Sequence, residues 1–357
     1  MPDDNFEQAL INLGYDNVLD DYVLTFNIDA LTFLDVSGMN ISDLTGIEDF
    51  TTLTTLWCND NYLTSLDVSQ NIIEYLICWD NQLTSINLNA QLFFLNCGVN
   101  NLVNIDLSQT TALTYLYCGY NQLTSIDVSS ATALERLFCH QNQLTSIDVS
   151  NNPDLLYLLL YYNNLTSLDV SANTSLTHLD FYECQLTSIN LSQNSDLIEL
   201  RCGINLLTSL DLSQNISLEH LYCQSNQLTS LDLSNNIVLD TLYCVDNQLT
   251  TLDLRNGNNI NLSVFNATSN PNLNCISVDD HFWSTTNWTV ANGNIDPQHY
   301  FINNCDGSTS IAVLEDGEKR LLKVVNILGI EVSVLKENQF YFYIYANGTV
   351  VKQLNIK

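Results

Sequence analysis

Residues 116–130 read "LYCGYNQLTSIDVSS", and the next stretch, residues 137–151, reads "LFCHQNQLTSIDVSN" with the same residue types in the same order. The cysteine slot recurs as Cys58, Cys78, Cys97, Cys118 and Cys139, at steps of 20, 19, 21 and 21 residues. Leu160 and Phe181 fill the slot at the next two steps, and Cys202, Cys223 and Cys244 continue it. The unit is L-x-x-L-x-C-x-x-N-x-L-T-S-L-D-V-S-x-N-x-x, first complete at Leu53, Leu56, Cys58, Asn61 and Leu63. A fixed period of this length marks a stack of similar turns, each burying its apolar residues against its neighbours.

The unit is also nearly doubled within itself. Leu56-x-Cys58-x-x-Asn61 is answered ten residues later by Leu66-x-Val68-x-x-Asn71. Both halves alternate apolar and polar residues with a period of two, so each turn is expected to supply two short strands on opposite sides. Neither half has room for a helix of ordinary length. The expected fold is a β-rich solenoid.

These residues resemble the leucine-rich repeat family, specifically a bacterial class with a 21-residue repeat, over roughly residues 31–273 in ten regular copies. The resemblance implies that the first segment of each copy builds a parallel concave sheet and that the asparagines form an internal hydrogen-bonded ladder. That ladder would run through Asn61, Asn81, Asn100, Asn121, Asn142, Asn163, Asn205, Asn226 and Asn247, with Cys184 interrupting it. A thiol cannot satisfy buried backbone groups as an amide does, so a weak rung is expected at Cys184.

A solenoid exposes apolar residues at both ends unless they are covered. Residues 3–13, DDNFEQALINL, read as an amphipathic helix opened by Asp3 or Asp4 and belong to an N-terminal cap spanning 1–50. The solenoid proper is placed at 51–273, a C-terminal cap at 274–305 and a polar linker at 306–318. Residues 319–357 change character, with alternating apolar strands around an "ANG" turn. They resemble the C-terminal sorting domain of proteins exported by the type IX secretion system of Bacteroidota, in Leu328-Gly329, Phe342-Tyr343-Ile344-Tyr345, Asn347-Gly348-Thr349 and the terminal Lys357. The resemblance implies handling by that secretion machinery.

The chain carries 40 acidic and 9 basic residues, a formal charge of -31. Only Arg136, Arg201 and Arg255 among the basic residues precede residue 319. So acidic a repeat body repels phosphate backbones, which argues against a nucleic-acid partner. No stretch approaches the roughly 18–20 apolar residues of a membrane-spanning helix. The opening MPDDNFEQAL lacks the basic start and apolar run of a signal peptide, and the expectation is a chain beginning after an export signal, secreted or held at the cell surface as a monomer.

Eight cysteines in one column raise the question of metal, disulfide or redox chemistry. Parallel side chains about 4.8 Å apart disfavour the disulfide dihedral, and a straight column cannot surround zinc tetrahedrally. Leu160 and Phe181 decide the matter, because a packing slot accepts them in mid-series and a ligand column does not. The column reads as buried filler. Cys275 and Cys305 lie outside it and flank one cap loop, so a disulfide is expected there, in keeping with export.

Three columns on the first strand point outward. Twelve of their thirty residues are aromatic, although aromatics make up 10% of the chain. The residues proposed to meet a ligand are Trp57, Tyr75, Trp79, Phe94, Tyr115, Tyr117, Arg136, Phe138, Tyr157, Tyr161, His178, Tyr182, Glu199, Arg201, His220, Tyr222 and Tyr243. Such rings offer rigid contact area with a polar handle, although cross-strand stacking alone also stabilises a sheet. His178, Glu199 and His220 share a row with Asp180 and Arg201 beside them, and are expected to form a charge-paired ladder. The two histidines are two rungs, about 9.6 Å, apart, too far to share a metal without distorting the sheet. Arg136 has the spacing for cation–π stacking between Tyr115 and Tyr157.

A column of Asp67, Asn87, Asp106, Asp127, Asp148, Asp169, Asn190, Asp211, Asp232 and Asp253 runs along the second half-repeat. Hydrogen bonds to turn N–H groups and nearby serines are the expected compensation for its repulsion, with calcium screening as the alternative; no copy matches an EF-hand loop. No phosphate loop, nucleophile elbow or paired carboxylates in a cleft occur, so no catalytic role and no cofactor are expected. The function indicated is recognition of a macromolecule, first a protein in the manner of an adhesin, with glycan binding or a surface spacer as alternatives.

Overall fold

The computed structural model describes residues 1–305, 321–326, 339–345 and 350–355. The chain divides into two compact units, Met1–Asn303 and Asn304–Lys357. The first is a parallel β solenoid. Its main sheet has twelve strands of three residues each, from Phe33–Asp35 through Tyr115–Tyr117 to Val264–Asn266. All of its pairings are parallel and in register, so Tyr115 faces Arg136, Leu116 faces Leu137 and Tyr117 faces Phe138. The middle leucine of each regular strand is fully buried, while its two neighbours point outward. That is the period-two rule of a half-buried strand.

Three residues are too few to hold a strand, and the ladder continues past each one. The Cys118 N–H donates to Phe138 O at 2.9 Å and the Tyr120 N–H to His140 O at 3.1 Å. The donor of the second bond is itself left-handed, and the chain turns inward there, which brings the following asparagine inside. This residue is Asp60, Asp80, Val99, Tyr120, Gln141, Tyr162, Glu183, Ile204, Ser225 and Asp246 in successive copies, with φ between 50° and 58°. None is glycine, and Val99 and Ile204 are β-branched, the residue type least tolerant of that region.

The asparagine ladder is built as expected. Asn121 Nδ2 donates to the carbonyls of Cys97 and Cys118, each at 3.1 Å, and its Oδ1 accepts from Leu102 N–H at 2.9 Å. The same three contacts repeat at Asn142. At the interruption, Cys184 Sγ reaches Leu160 O at 3.6 Å. A second column of asparagines lies on the other side of the core: Asn152, Asn173, Asn194, Asn215 and Asn236, each 0% exposed. Asn173 Nδ2 donates to Val149 O at 2.9 Å and Asn152 O at 2.8 Å, pinning one rung to the rung before. The Oδ1 atoms of these five accept no hydrogen bond from the protein.

The second strand of the repeat forms only toward the two ends. Ser65–Asp67 pairs with Ser85–Asn87, and Ser230–Asp232, Thr251–Asp253, Cys275–Ser277 and Tyr300–Ile302 form a four-stranded sheet. Between Asn87 and Ser230 the equivalent residues form no strand. There the rungs stand apart: a cavity of about 210 Å³ opens between Ile147-Asp148 and Leu168-Asp169. In these rungs one backbone bond per turn remains ahead of the missing strand, such as Gln122 N–H to Leu102 O at 2.9 Å and Gln143 N–H to Leu123 O at 2.8 Å, and the main sheet and the asparagines supply the rest. The aspartates are compensated as expected, with Asp106, Asp127, Asp148 and Asp169 each accepting from the N–H of the serine two residues on at 2.9 Å. The serine hydroxyl first and its N–H second hold the Asp127, Asp148 and Asp169 carboxyls below the usual aspartate range, and for Asp106 the N–H leads and the hydroxyl follows.

Both ends of the solenoid are covered. The helix Asp4–Leu13 is capped by Asp3, whose carboxylate also accepts from Ser42 N–H at 2.8 Å and Ser42 Oγ at 2.6 Å. Phe6 and Leu10 are fully buried, with Phe6 stacked 6.3 Å from Phe50 of the first turns. Glu7, also fully buried, accepts from the N–H groups of Asp20, Asp21 and Tyr22 and so fixes the loop after the helix. At the other end, the helix His281–Asn287 starts at an Asp280 cap, and Trp288 packs 4.5 Å from Phe265 and 5.7 Å from Phe301. Neither this helix nor the short Thr25–Ile28 helix is signalled by the repeat. Cys275 and Cys305 are disulfide-bonded, whereas the other nine cysteines are free.

In the second unit Leu321–Asn326, Gln339–Tyr345 and Val350–Asn355 form an antiparallel sheet, with Tyr341 buried. Gln339–Tyr345 contains the expected Phe342–Tyr345 strand. Leu328-Gly329, Asn347-Gly348-Thr349, Lys357 and the 306–318 linker lie outside the described residues.

Candidate functional site

The cysteine column is interior. Cys58, Cys78, Cys97, Cys118, Cys139, Cys202, Cys223 and Cys244 are all fully buried, and burial pushes the thiols of Cys58, Cys78, Cys97, Cys202, Cys223 and Cys244 up. Such thiols are neutral packing groups rather than nucleophiles. The two residues flanking each middle leucine, and the residue after the cysteine, carry the outward surface. Every one of the seventeen residues proposed from sequence is exposed or half-buried.

Register brings their rings into contact. Phe94 stacks on Tyr115 at 4.3 Å, Tyr157 on His178 at 4.3 Å and Tyr222 on Tyr243 at 5.5 Å. Tyr115 and Tyr117 meet Phe138 edge-on at 5.3 and 6.0 Å. The glycines of the third column are part of this arrangement. A Cβ on Gly98 would lie 2.3 Å from the Tyr117 ring, so Gly98 provides the space that ring occupies. His140 is buried on this face by its neighbours, stacked on Tyr161 at 4.2 Å and bonded to Tyr117 Oη at 3.1 Å; burial lowers its pKa to about 4.

Two expectations about the charged residues hold only in part. Arg136 lies over the Tyr157 ring at 4.7 Å, while Tyr115 is taken by Phe94 and Phe138, so the guanidinium is not sandwiched. The row His178, Glu199, His220 is not one continuous ladder. Glu199 is paired with Arg201, two residues along its own strand, and stands 4.0 Å from His178. His220 faces Asp240 at 4.0 Å. A nearby permanent cation holds the carboxylate more firmly than two histidines can, and burial lowers the pKa of His178.

A hollow of about 610 Å³ opens on this face at the rungs of Tyr157, His178 and Glu199. Its lining gathers eight of the proposed residues: Phe138, Tyr157, Tyr161, His178, Tyr182, Glu199, Arg201 and Tyr222. Trp57, Tyr75, Trp79, Phe94, Tyr115, Tyr117, Arg136, His220 and Tyr243 lie outside it along the sheet. It adds Leu159, Leu179, Tyr162, Asp180 and Gln224. Tyr162 occupies the left-handed position, which forms a fourth column beside the face; only the repeated non-glycine residue two after the cysteine slot hints at it. Asp180 lies in register between Leu159 and Arg201 and accepts from Tyr182 N–H at 2.9 Å. Burial pushes its carboxyl up to about 6, against the pull of that N–H and of Arg201. Arg201 itself lies over the Tyr222 ring at 4.8 Å.

No protein-family model matches the chain. A stretch of 70 residues is 40% identical to Internalin J of Listeria monocytogenes serotype 4b (strain F2365). That stretch is 20% of this chain and spans 8% of the length of Internalin J. The functional domain of InlJ from Listeria monocytogenes, whose structure includes a cysteine ladder, aligns over 100% of this chain and 97% of its own, at 27% identity and a TM-score of 0.58. The chain is a leucine-rich repeat protein similar to the Listeria internalins. Internalin InlF of the same species aligns over 78% of this leucine-rich repeat protein and 96% of its own chain, with a TM-score of 0.58 at 23% identity. The LRR protein LIC12759 of Leptospira interrogans shares the fold at a TM-score of 0.50 and 23% identity, over 75% and 72% of the two chains. A cysteine ladder is described for the InlJ domain, and this chain carries a column of eight buried cysteines of its own. Among its described residues no helix is long and apolar enough to cross a membrane.

Proposed function

We propose that this leucine-rich repeat protein is a non-catalytic recognition protein of the secreted or cell-surface kind, binding a protein ligand through the outward face of its main sheet in the manner of an adhesin. The observation that carries the reading is the band of rings from Tyr75 to Tyr182, in contact from rung to rung, left partly exposed and leading into a hollow of about 610 Å³. Apolar area of this extent outside the core is a usual feature of recognition surfaces, and tyrosine and tryptophan supply it at low entropic cost. The test uses the full chain as bait in material from its native surroundings, beside a Tyr115→Ala, Tyr117→Ala, Tyr157→Ala variant. Loss of the captured partner in the variant supports the reading, and unchanged capture favours a structural spacer instead.

Glycan binding is the second reading, favoured by the hydrogen-bonding groups of Asp180, Glu199, Arg201 and Gln224 beside ring faces in one hollow. A silent glycan array with the full chain removes it. We further read residues 319–357 as a type IX sorting-like tail of a Bacteroidota-type exporter. Deleting those residues should then trap the protein short of the surface, and normal export of the deletion variant would end that reading.

A further inference from the structure

We propose that the hollow at Asp180 is a subsite for a basic side chain, lysine or arginine, presented by a protein or peptide ligand. The inference rests on the reading of this face as a recognition surface and names what one part of it takes. Two observations converge at the carboxylate. Asp180 sits among aromatic and aliphatic groups, and no basic side chain lies within ion-pair distance of it among the described residues. Arg201, the nearest cation to influence it, is committed to Glu199 and to the Tyr222 ring. A partly desolvated carboxylate with one N–H bond and no direct ion-pair partner, its neighbour Arg201 being turned to Glu199, is an unfavourable state, which an incoming cation relieves.

The walls suit the same guest. Tyr161 and Tyr182 line the hollow without a cation of their own, whereas Tyr157 and Tyr222 are already covered by Arg136 and His178 and by Arg201 and Tyr243; ring faces beside a carboxylate form the usual environment for an ammonium or guanidinium group. This surface already holds cations that way, with Arg136 over Tyr157 at 4.7 Å and Arg201 over Tyr222 at 4.8 Å. The formal charge of -31 draws cationic partners from a distance, and a single carboxylate inside a ring-walled hollow gives them one place to dock. Rings below and the aliphatic stem of lysine or arginine above also match, since both stems bury apolar length while the head stays with its counter-charge.

The test is calorimetric titration of the full chain with four peptides, acetyl-Gly-Gly-X-Gly-Gly-amide, where X is lysine, arginine, norleucine or glutamate. The lysine and arginine peptides are expected to bind at least tenfold more tightly than the other two. Asp180→Asn, which keeps the acceptor for Tyr182 N–H, should weaken the lysine peptide at least tenfold. Asp169→Asn removes the same charge from the exposed column and should change it less than twofold, which separates docking from general attraction. Tyr161→Leu and Tyr182→Leu leave the carboxylate in place and should each cost at least threefold, which tests the ring walls independently of the charge. Equal binding of the norleucine or glutamate peptide, or equal losses in Asp180→Asn and Asp169→Asn, overturns the subsite. If the Asp180→Asn chain still captures the natural partner while the alanine triple variant does not, the face stands as a recognition surface and only the cation subsite falls.

Discussion

Replacing Asn121 by cysteine copies, in an intact rung, the substitution present at Cys184. The amide makes two close contacts through Nδ2, to Cys97 O and Cys118 O, and one through Oδ1, from Leu102 N–H. The losses are unequal. Cys97 O retains the Asn100 amide at 3.1 Å and Cys118 O retains the Asn142 amide at 3.1 Å. Leu102 N–H has no second acceptor among the hydrogen bonds of the structure and stays buried behind the sheet. An orphaned buried N–H costs about 1–3 kcal/mol and each surrendered shared bond about 1 kcal/mol, so with partial help from the thiol the change should cost about 2–4 kcal/mol. Stacked repeats unfold in sections, so amide hydrogen exchange is the decisive assay and urea unfolding the supporting one. Leu102 N–H should exchange at least tenfold faster in the variant, equivalent to about 1.4 kcal/mol of lost protection. In the unmodified protein Leu165, whose amide faces Cys184, should already exchange faster than Leu102, Leu123 and Leu144. Equal exchange at Leu165 and a variant cost below about 0.5 kcal/mol would refute the view that the ladder amides carry the rungs.

Other consequences are open to direct measurement. Val99→Asn and Ile204→Asn place an αL-tolerant residue where φ is 53° and 51°, and each should stabilise the fold by about 1 kcal/mol in urea unfolding; a loss would mean these backbones are unstrained. Asp180 is held up to about 6 in the folded chain against an ordinary value of 3.8, so its stability contribution is complete below about pH 4 and is lost as pH rises through 6. Asp180→Asn should therefore be the more stable form at pH 7, with its advantage gone at pH 4; a pH-independent difference contradicts the assigned burial. An aromatic disulfide reagent should find almost no reactive thiol in the native protein and nine after unfolding, because all nine free cysteines are buried. Fast native reaction at several sites would show that the column opens.

Much of this architecture is visible in the primary structure because a repeat is its own alignment. Period and register together place Cys118 inside and Tyr115 and Tyr117 outside, and the slot shared by Cys139, Leu160 and Phe181 declares itself a packing position. The opening helix is equally legible from Asp3 and the apolar spacing of Phe6, Ala9 and Leu10. What escapes depends on geometry that residue types do not encode. The left-handed turns lack glycine, so Tyr162 joins the hollow unannounced. Asn173 and its column look like surface turn residues until the stack closes over them. The partial second ladder depends on the distance between rungs on that side, which the repeat pattern does not state. Glu199 has an acidic residue's usual choice among several cations, and Arg201, two residues away on the same strand, takes it from the histidines. His140 shares the column of Tyr161 yet is buried, because Gly119 leaves room for its ring against Tyr117, Tyr120 and Tyr161.

The central claim is a division of labour between the buried spine and the outward rings, and paired measurements on two variants test it directly. Cys118→Ala, Cys139→Ala alters only the spine, whereas Tyr157→Ala, Tyr161→Ala alters only the face. Thermal unfolding and partner capture are measured on both full-length chains. The account predicts a lowered melting temperature with capture retained for the cysteine variant, and a smaller change in melting temperature with capture lost for the tyrosine variant. Capture lost from a still-folded cysteine variant, with the tyrosine variant binding normally, would contradict it.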